Sequence, residues 1–314
     1  MAARTSGWLR PASPTVAIEI ASRRVTAVSV EHSAAGPVVA GQATEPLPEG
    51  AVVPALAAGN IRVREAVIEA LGRALDRAGL RSARRAALVV PDSVARVSVL
   101  SFDELPARPD DLDRFMRWQL KKSTPFAIED AQVSYFPAGA PGPPTMMAGV
   151  VSRRDVVAEY EAVTSAVGIH AGIVDLASFN VMNAIVGVGG EVAGDWLLVH
   201  LAAEATSLAI LRGDRLMFYR HRTAVDEESL GSLVHQTAMY HEDRLGGGGF
   251  ARVWLSGGGA ATDAARAEVS ARLNVSVGTF DIASAAGVQD RGGSTDLADT
   301  LAAPVGILIR ERAA

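Results

Sequence analysis

The sequence predicts an α/β protein of two layered lobes, and three observations support this fold class. Strand patterns alternate with helix patterns in both halves of the chain. Each half opens on a hairpin pattern, at Val16 in the first half and at Leu197 in the second. The order of elements in the two halves is also alike, namely hairpin, strand, helices and strand. That order is a weak internal repeat, which is visible without residue identity.

Length and composition place further limits on the molecule. The 314 residues suffice for two domains of about 100 to 200 residues each. No segment approaches the roughly 18 to 20 uninterrupted apolar residues of a membrane helix, and the first dozen residues lack the apolar stretch of a secretory signal. We therefore expect a soluble, cytoplasmic protein without direct membrane insertion. Because the chain has no cysteine, disulfides, thiolate catalysis and cysteine-ligated zinc are excluded.

The charge pattern argues against nucleic acid as a partner. The formal net charge is −5, and basic and acidic residues are interspersed along the chain. A protein that neutralises a phosphate backbone usually carries a basic stripe, and the sequence shows none.

The first hairpin is predicted from the stretch AIEIASRRVTAVSV, residues 17–30. Apolar residues alternate with small or polar ones on both sides of Ser22, Arg23 and Arg24, which is the period-two pattern of two strands and a tight polar turn. The second half repeats the pattern as three strands, joined at Ala203-Glu204 and at Gly213-Asp214.

Helix signals follow each hairpin. In the first half, a helix is predicted to begin at the N-cap Asn60 and to stop at Gly79. A strand, a turn at Pro91-Asp92 and a second strand come next, and a further helix starts near Pro109. In the second half, a helix is predicted from Ala261 to Leu273.

Several blocks, taken in order, resemble the PilM family of type IV pilus assembly proteins. They are ELPARPDDLDRFMRWQLKKSTPFAIEDAQVSYF, GVVSRRDVVAEYEAVTSAVGIHAGIVDLASFNVMNAI, LSGGGA and the terminal APVGILIR. The resemblance implies a two-lobed actin-like fold with an inserted small subdomain. It divides the chain into a first lobe at 14–190, which includes the subdomain around 92–150, and a second lobe at 195–314. It also implies that APVGILIR is a closing strand.

In such a fold the nucleotide lies between the lobes, so the resemblance also implies a site for ATP and magnesium. Family members typically show Asp-x-Gly at both hairpins, where an aspartate holds the magnesium and backbone N–H groups cradle phosphates. Here the two positions read Glu19-Ile20-Ala21 and His200-Leu201-Ala202. The predicted nucleotide-facing residues are Glu19, Ser22, Arg23, Thr26, His200, Thr206, Gly257, Gly258 and Gly259.

The substitutions at the two hairpins predict that nucleotide binding is weakened or lost. Glu19 keeps the charge and is the one candidate magnesium ligand, but its extra methylene displaces the carboxylate. The imidazole of His200 is a poor magnesium ligand, because magnesium prefers hard oxygen ligands. Ala21 and Ala202 add a Cβ where glycine permits close backbone approach. No catalytic residue can be assigned.

The resemblance also names a partner, the short cytoplasmic N-terminal peptide of the inner-membrane protein PilN. An extended, apolar peptide of this kind binds a hydrophobic groove or an exposed sheet edge. Trp118, Pro125 and Phe126 are the candidate partner-binding residues, and each is equally compatible with the core of the small subdomain.

Three functions remain open at this point. The first is a cytoplasmic scaffold of a pilus or secretion machine, which lies peripheral to the inner membrane and recruits PilN-type and other assembly proteins. The second is an active Mg-ATP-dependent ATPase that uses Glu19. The third is a small-molecule kinase on the same superfold, with Asp92 or Asp175 as the general base.

Overall fold

The protein consists of two similar lobes and a small subdomain. The computed structural model describes residues 14–33, 36–140, 142–188, 193–224, 228–280, 282 and 296–313. These residues form two five-stranded sheets and one three-stranded sheet, with helices packed against them. The predicted two-lobed α/β fold with an inserted subdomain is confirmed.

The first lobe is built on a sheet in the order β3-β2-β1-β4-β8. The first three strands are antiparallel neighbours, whereas β4 runs parallel to β1 and β8 runs parallel to β4. The elements of this lobe are β1 (Val16–Ile20), β2 (Arg24–Ser33), β3 (Gly36–Pro46), α1 (Arg64–Arg77), β4 (Arg85–Val90), α3 (Arg154–Ala166), β8 (His170–Leu176) and α4 (Ala177–Val188).

The second lobe repeats this topology with the order β11-β10-β9-β12-β13. Its first three strands are again antiparallel, and its last two are again parallel. The internal repeat that the element order predicts is therefore present as one sheet topology used twice. The elements are β9 (Asp195–Leu201), β10 (Ala205–Arg212), β11 (Arg215–Thr223), α5 (Leu230–Leu245), β12 (Arg252–Gly257), α6 (Thr262–Leu273) and β13 (Val277–Thr279).

The small subdomain is a three-stranded antiparallel sheet with one helix beside it. The strands β5 (Ala95–Phe102), β6 (Ala131–Ala138) and β7 (Thr145–Arg153) lie in the order β5-β7-β6, and α2 spans Pro109–Lys121. The predicted limits of the subdomain, around 92–150, stay a prediction. The lobe limits at 14–190 and 195–314 stay predictions, and the first dozen residues lie outside the described part of the chain.

Period-two strands give the two lobes a shared core. Ala17 on β1 faces one cluster, whereas Ile18 and Ile20 face another. Trp196 and Leu198 on β9 join the same cluster as Ala17. Both faces of β1 and of β9 are therefore buried, one against its own lobe and one against a core common to both lobes.

The expected closing strand is wrong, because the segment APVGILIR lies within a helix. Helix α7 (Asp296–Ala313) follows the second lobe in sequence but packs against α4 and against β1 and β2 of the first sheet. Residues 301–308 are buried throughout. A short run that is apolar on every side fits a buried strand and a buried helix equally well, so its pattern does not distinguish them.

The prediction that Asn60 is an N-cap is also wrong. Helix α1 begins at Arg64, and its N-cap residue Val63 makes no side-chain bond. Asn60 is instead fully buried. Its amide bonds to the backbone of Ala55, and its Oδ1 accepts a 3.0 Å hydrogen bond from Tyr160 on α3. Gly79 lies just beyond the helix end with a positive φ of 72°, as a helix stop requires.

An ion cluster centred on the buried Asp195 fixes the start of the second lobe. The carboxylate of Asp195 accepts hydrogen bonds from Arg212 Nε at 2.6 Å and Arg212 Nη2 at 2.7 Å, and it lies 2.6 Å from His241 Nε2. These contacts lower the pKa of Asp195, with the Arg212 bond as the main cause. The cluster ties β9, β10 and α5 together.

We predict that Asp195→Asn lowers the free energy of unfolding by about 2–3 kcal/mol, because Arg212 loses its anionic partner. The carboxyl pKa is lowered in the folded state. Its stabilisation is therefore present above the ordinary value of 3.8 and is lost as pH falls through the folded pKa. Urea unfolding at several pH values measures both effects. Asp263→Asn, which removes an exposed ion pair with Arg266 on α6, is the matched control and should cost under about 0.5 kcal/mol. Equal losses for the two variants would contradict the structural role of Asp195.

Candidate functional site: the interlobe cleft and the adjoining groove

A cleft of about 960 Å³ opens between the two lobes. Both hairpin turns line it, together with the glycine loop after β12 and the segment after β4. Seven of the nine predicted nucleotide-facing residues line this cleft, namely Glu19, Ser22, Arg23, His200, Gly257, Gly258 and Gly259.

The two hairpin turns have the same backbone geometry and meet across the cleft. Ala21 N donates to Arg24 O at 2.9 Å, and Ala202 N donates to Ala205 O at the same distance. The repeated topology brings the two turns face to face. There, the hydroxyl of Ser22 donates a 2.6 Å hydrogen bond to Oε2 of Glu204. A carboxylate of the second lobe is thus bonded to the turn of the first lobe that was expected to hold phosphate.

Glu19 lies in the cleft as an ion pair. Its side chain is only 5% exposed, and Oε2 accepts a 3.1 Å hydrogen bond from Arg24 Nη2. In the described part of the chain, no group of three or more His, Asp or Glu residues is placed to hold a metal ion. Because Arg24 already pairs with the Glu19 carboxylate, a magnesium ion bound by Glu19 would have to displace that arginine.

The arginines that line the cleft already have carboxylate partners. Arg77 donates to Glu45 at 2.5 Å, and this bond is the main cause of the lowered pKa of Glu45. Arg23 lies 3.5 Å from Glu49, and both side chains are largely exposed. Since Arg24 is paired with Glu19, a phosphate would have to compete with a carboxylate for Arg24 and Arg77, whereas the exposed Arg23–Glu49 pair is weak.

The glycine loop after β12 has a backbone conformation that favours glycine at each of three positions. Gly257, Gly258 and Gly259 all have positive φ, at 81°, 92° and 51°. A Cβ at Gly257 would lie 2.0 Å from the carbonyl oxygen of Leu201, so the loop can pass this close to β9 only with glycine. The hydroxyl of Thr262 closes the loop by donating to Gly257 O at 2.9 Å.

The predicted nucleotide-facing residues not yet described differ in whether they line the cleft. His200 lines the cleft but is about nine-tenths buried, and its Nδ1 has no hydrogen-bond partner among the described residues. Thr26 is fully buried one strand away, and its hydroxyl lies 3.1 Å from the hydroxyl of Thr44. Neither Thr26 nor Thr206 lines the cleft.

Asp92 forms the floor of the cleft and joins the lobes. Its Oδ1 accepts from the backbone N–H and the hydroxyl of Ser178 at 3.0 and 2.9 Å, and its Oδ2 accepts from Ser207 at 2.7 Å. Ser178 lies on α4 of the first lobe, whereas Ser207 lies on β10 of the second. Three donors already satisfy this carboxylate, which does not suit a general base.

Tyr219 and His221 extend the Asp92 network. The Tyr219 hydroxyl lies 3.0 Å from the Ser178 hydroxyl, and the loss of hydration together with the Asp92 charge raises the pKa of Tyr219 well above 10. Ser207 Oγ lies 2.9 Å from His221 Nδ1. Asp175, the other base candidate of the kinase hypothesis, lines a different cavity.

That second cavity is an apolar groove of about 780 Å³ on the other side of the same wall. Val90 and Leu176 line the groove, while the next residues in each segment, Pro91 and Ala177, line the cleft. The groove is bounded by Phe136 of β6 and by residues of β8 and α4, including Phe179. Asp175, Asn183, Asp214 and Arg215 supply polar groups along it.

Two edge strands flank this groove. Within the described sheets, β6 pairs only with β7, and β8 pairs only with β4. Gln132, Ser134 and Phe136 alternate on the exposed face of β6 and line the groove. Pro137 fits this position, because a proline within a sheet is confined to an edge or a bulge.

The predicted partner residues lie elsewhere on the small subdomain. Trp118 is 55% exposed on α2, with Lys122 Nζ 4.2 Å from the centre of its ring. Pro125 is exposed, and Phe126 packs against the core of the subdomain. None of the three lines the groove. Their role in partner binding stays a prediction.

Sequence reasoning missed Glu204, Phe136 and Phe179. The repeat could have found Glu204, because two equivalent hairpins place their turns opposite each other. The proline after Phe136 marks an edge strand, which is a weaker signal. Phe179 carries no local signal, because only the packing of α4 beside β8 brings it to the groove.

The two matching lobes with a cleft between them define an actin-like ATPase fold. The family model for the type IV pilus assembly protein PilM matches residues 17–243. The chain therefore belongs to the PilM family. No curated protein sequence matches the chain.

Solved structures show the same fold. The chain is similar to a structure described as a PilM-PilN type IV pilus biogenesis complex, with a TM-score of 0.78 and 16% identity over 95% of this chain and 97% of the other. A protein of unknown function with an actin-like ATPase fold from Bacteroides thetaiotaomicron gives a TM-score of 0.50 and 6% identity over 85% and 91% of the two chains. No helix in the described ranges combines the length and hydropathy needed to span a bilayer.

We predict that Asp92→Ala lowers the free energy of unfolding by about 2–4 kcal/mol, because buried donors of Ser178 and Ser207 lose their acceptor. Urea unfolding measures the loss. Asp103→Ala, which truncates an exposed aspartate in the small subdomain, serves as the control and should change stability by no more than about 0.5 kcal/mol. If Asp92→Ala were as stable as the wild type, the structural role of the hydrogen bonds from Ser178 and Ser207 to Asp92 would be contradicted.

Proposed function

We propose that this PilM-family protein is a cytoplasmic scaffold of a type IV pilus or related secretion machine. In this role it recruits a PilN-type inner-membrane protein through the extended N-terminal peptide of that partner, and it is held at the inner membrane by such partners. The observation that carries the proposal is the apolar groove between the edge strands β6 and β8. The similar structure of a PilM-PilN complex supports this choice of partner.

The chemistry of the groove suits an extended apolar segment. Edge strands offer backbone N–H and C=O groups to an added strand, and alternate side chains of that strand can enter apolar pockets. Phe136 and Phe179, whose ring centroids lie 5.8 Å apart, supply aromatic surface of the kind that anchors a peptide side chain.

We further propose that nucleotide binding in the cleft is weakened. The supporting contacts are the Glu19–Arg24 pair and the Ser22–Glu204 bond, which occupy the phosphate side. A Mg-ATP-dependent ATPase is the second candidate, and the intact loop at Gly257 to Gly259 favours it. Phosphate release that is abolished by Glu19→Ala would select the ATPase over the scaffold with weakened nucleotide binding.

We predict that Ser134→Arg weakens binding of a synthetic PilN-type N-terminal peptide from the same organism by at least about tenfold. Ser134 lies on the exposed, groove-facing side of β6, so arginine places bulk and charge in the groove without entering the core. Fluorescence anisotropy with a labelled peptide measures the affinity.

Ser101→Arg is the matched control, because Ser101 is exposed on β5 of the same sheet but does not line the groove. It should bind the peptide with wild-type affinity, and thermal melts should show both variants folded. Absence of peptide binding to the wild-type protein, with and without nucleotide, would refute the proposed recruitment. Equal affinities of Ser134→Arg and the wild type would refute the groove as its site.

A further inference from the structure

The two hairpin turns of the cleft carry opposite charges at equivalent positions. In the first turn, Arg23 lies two residues after Ala21. In the second turn, Glu204 lies two residues after Ala202. The registers of the two hairpins correspond, with Glu19 opposite Thr26 in one and His200 opposite Ser207 in the other.

We propose that Glu204 is the specificity-determining residue of the cleft. Its carboxylate excludes polyphosphate ligands, and its bond to Ser22 fastens the two lobes together in the absence of a ligand. The inference rests on the proposed weakening of nucleotide binding and names the residue responsible for it.

The position of Glu204 is fixed by its own backbone and by the opposite lobe. Its carbonyl oxygen accepts a 2.8 Å hydrogen bond from Ala224 N, which anchors the turn to the end of β11. Its Oε2 accepts the 2.6 Å bond from Ser22. The carboxylate is therefore held at the narrow point where the two turns meet, and rotation away from it would break a short bond.

A polyphosphate bound between these turns would lie beside this carboxylate. Like charges placed side by side in a partly desolvated site oppose binding strongly, and the effect is reduced only when a cation or metal lies between them. Arg24 and Arg77 are bonded to other carboxylates, and Arg23 makes a long, exposed ion pair with Glu49. The exclusion is therefore electrostatic, and it should disappear when the charge of Glu204 is removed.

The same contact acts as a clasp between the lobes. Ser22 belongs to the first lobe and Glu204 to the second, and they join at the turns. Asp92 and Ser207 join the lobes at the floor of the cleft with a 2.7 Å bond. With a contact at each of these two places, protein groups hold the lobes together at the turns and at the floor of the cleft.

The test compares Glu204→Ala, Glu204→Gln and Ser22→Ala with the wild type. Glu204→Ala removes charge and bond, Glu204→Gln removes the charge but keeps an acceptor oxygen, and Ser22→Ala removes the bond but keeps the charge. Glu104→Ala, at an exposed glutamate of the small subdomain, is the matched control. Isothermal titration with Mg-ATP measures affinity, and thermal melts verify folding.

We expect both Glu204 variants to bind Mg-ATP at least about tenfold more tightly than the wild type, because the repulsion is removed. Ser22→Ala and Glu104→Ala should show no such gain. Failure of both Glu204 variants to gain affinity would overturn the exclusion. Tight binding by the wild type would refute the proposed weakening, and the exclusion by Glu204 would then stand only if the Glu204 variants bound more tightly still.

The clasp is tested by the distance between the lobes. The chain contains no cysteine, so Glu69→Cys on α1 and Ala267→Cys on α6 give a unique pair of exposed labelling sites. Without ligand, Glu204→Ala and Ser22→Ala should broaden the spin-label distance distribution, whereas Glu104→Ala should leave it unchanged. Identical distributions in all four proteins would overturn the clasp.

Discussion

The carboxylate of Asp92 is the contact on which the arrangement of the molecule depends. It accepts hydrogen bonds from Ser178 of the first lobe and Ser207 of the second, so it sets how the two sheets face each other. Val90 lines the groove, whereas Pro91 and Asp92 line the cleft; after β8, Ala177 lines the cleft and Phe179 lines the groove. The cleft and the groove therefore share one wall, which Asp92 helps to hold in place.

The two cavities differ in chemistry despite this shared wall. The cleft is lined by charged groups that already have protein partners, as in the Glu19–Arg24 pair and the Ser22–Glu204 bond. The groove has an apolar surface with aromatic rings and a few polar groups. A charged ligand gains little where protein charges are already paired, whereas an apolar segment gains by leaving water. This contrast directs the proposed function toward a protein partner in the groove and away from chemistry in the cleft.

The sequence predicts local features of this fold better than distant contacts. The hairpins at Val16 and Leu197 and the repeated topology follow from period-two strands that alternate with helices. The helical state of residues 301–308, which lie within α7, could not be predicted, because a uniformly apolar run has no period. Asn60 satisfies buried backbone groups instead of capping α1, which depends on contacts made by α3. Seven of the nine predicted nucleotide-facing residues line the cleft, whereas the groove is assembled from segments distant in sequence.

Hydrogen–deuterium exchange with and without a PilN-type N-terminal peptide is the most direct test of the central claim that the groove binds an extended partner. In the absence of nucleotide, we expect slower exchange in β6 and β8, whose edges the peptide would cover, and unchanged exchange in the hairpin turns at 21–24 and 202–205. Slower exchange confined to α2 around Trp118, or none in β6 and β8 at saturating peptide, would contradict it.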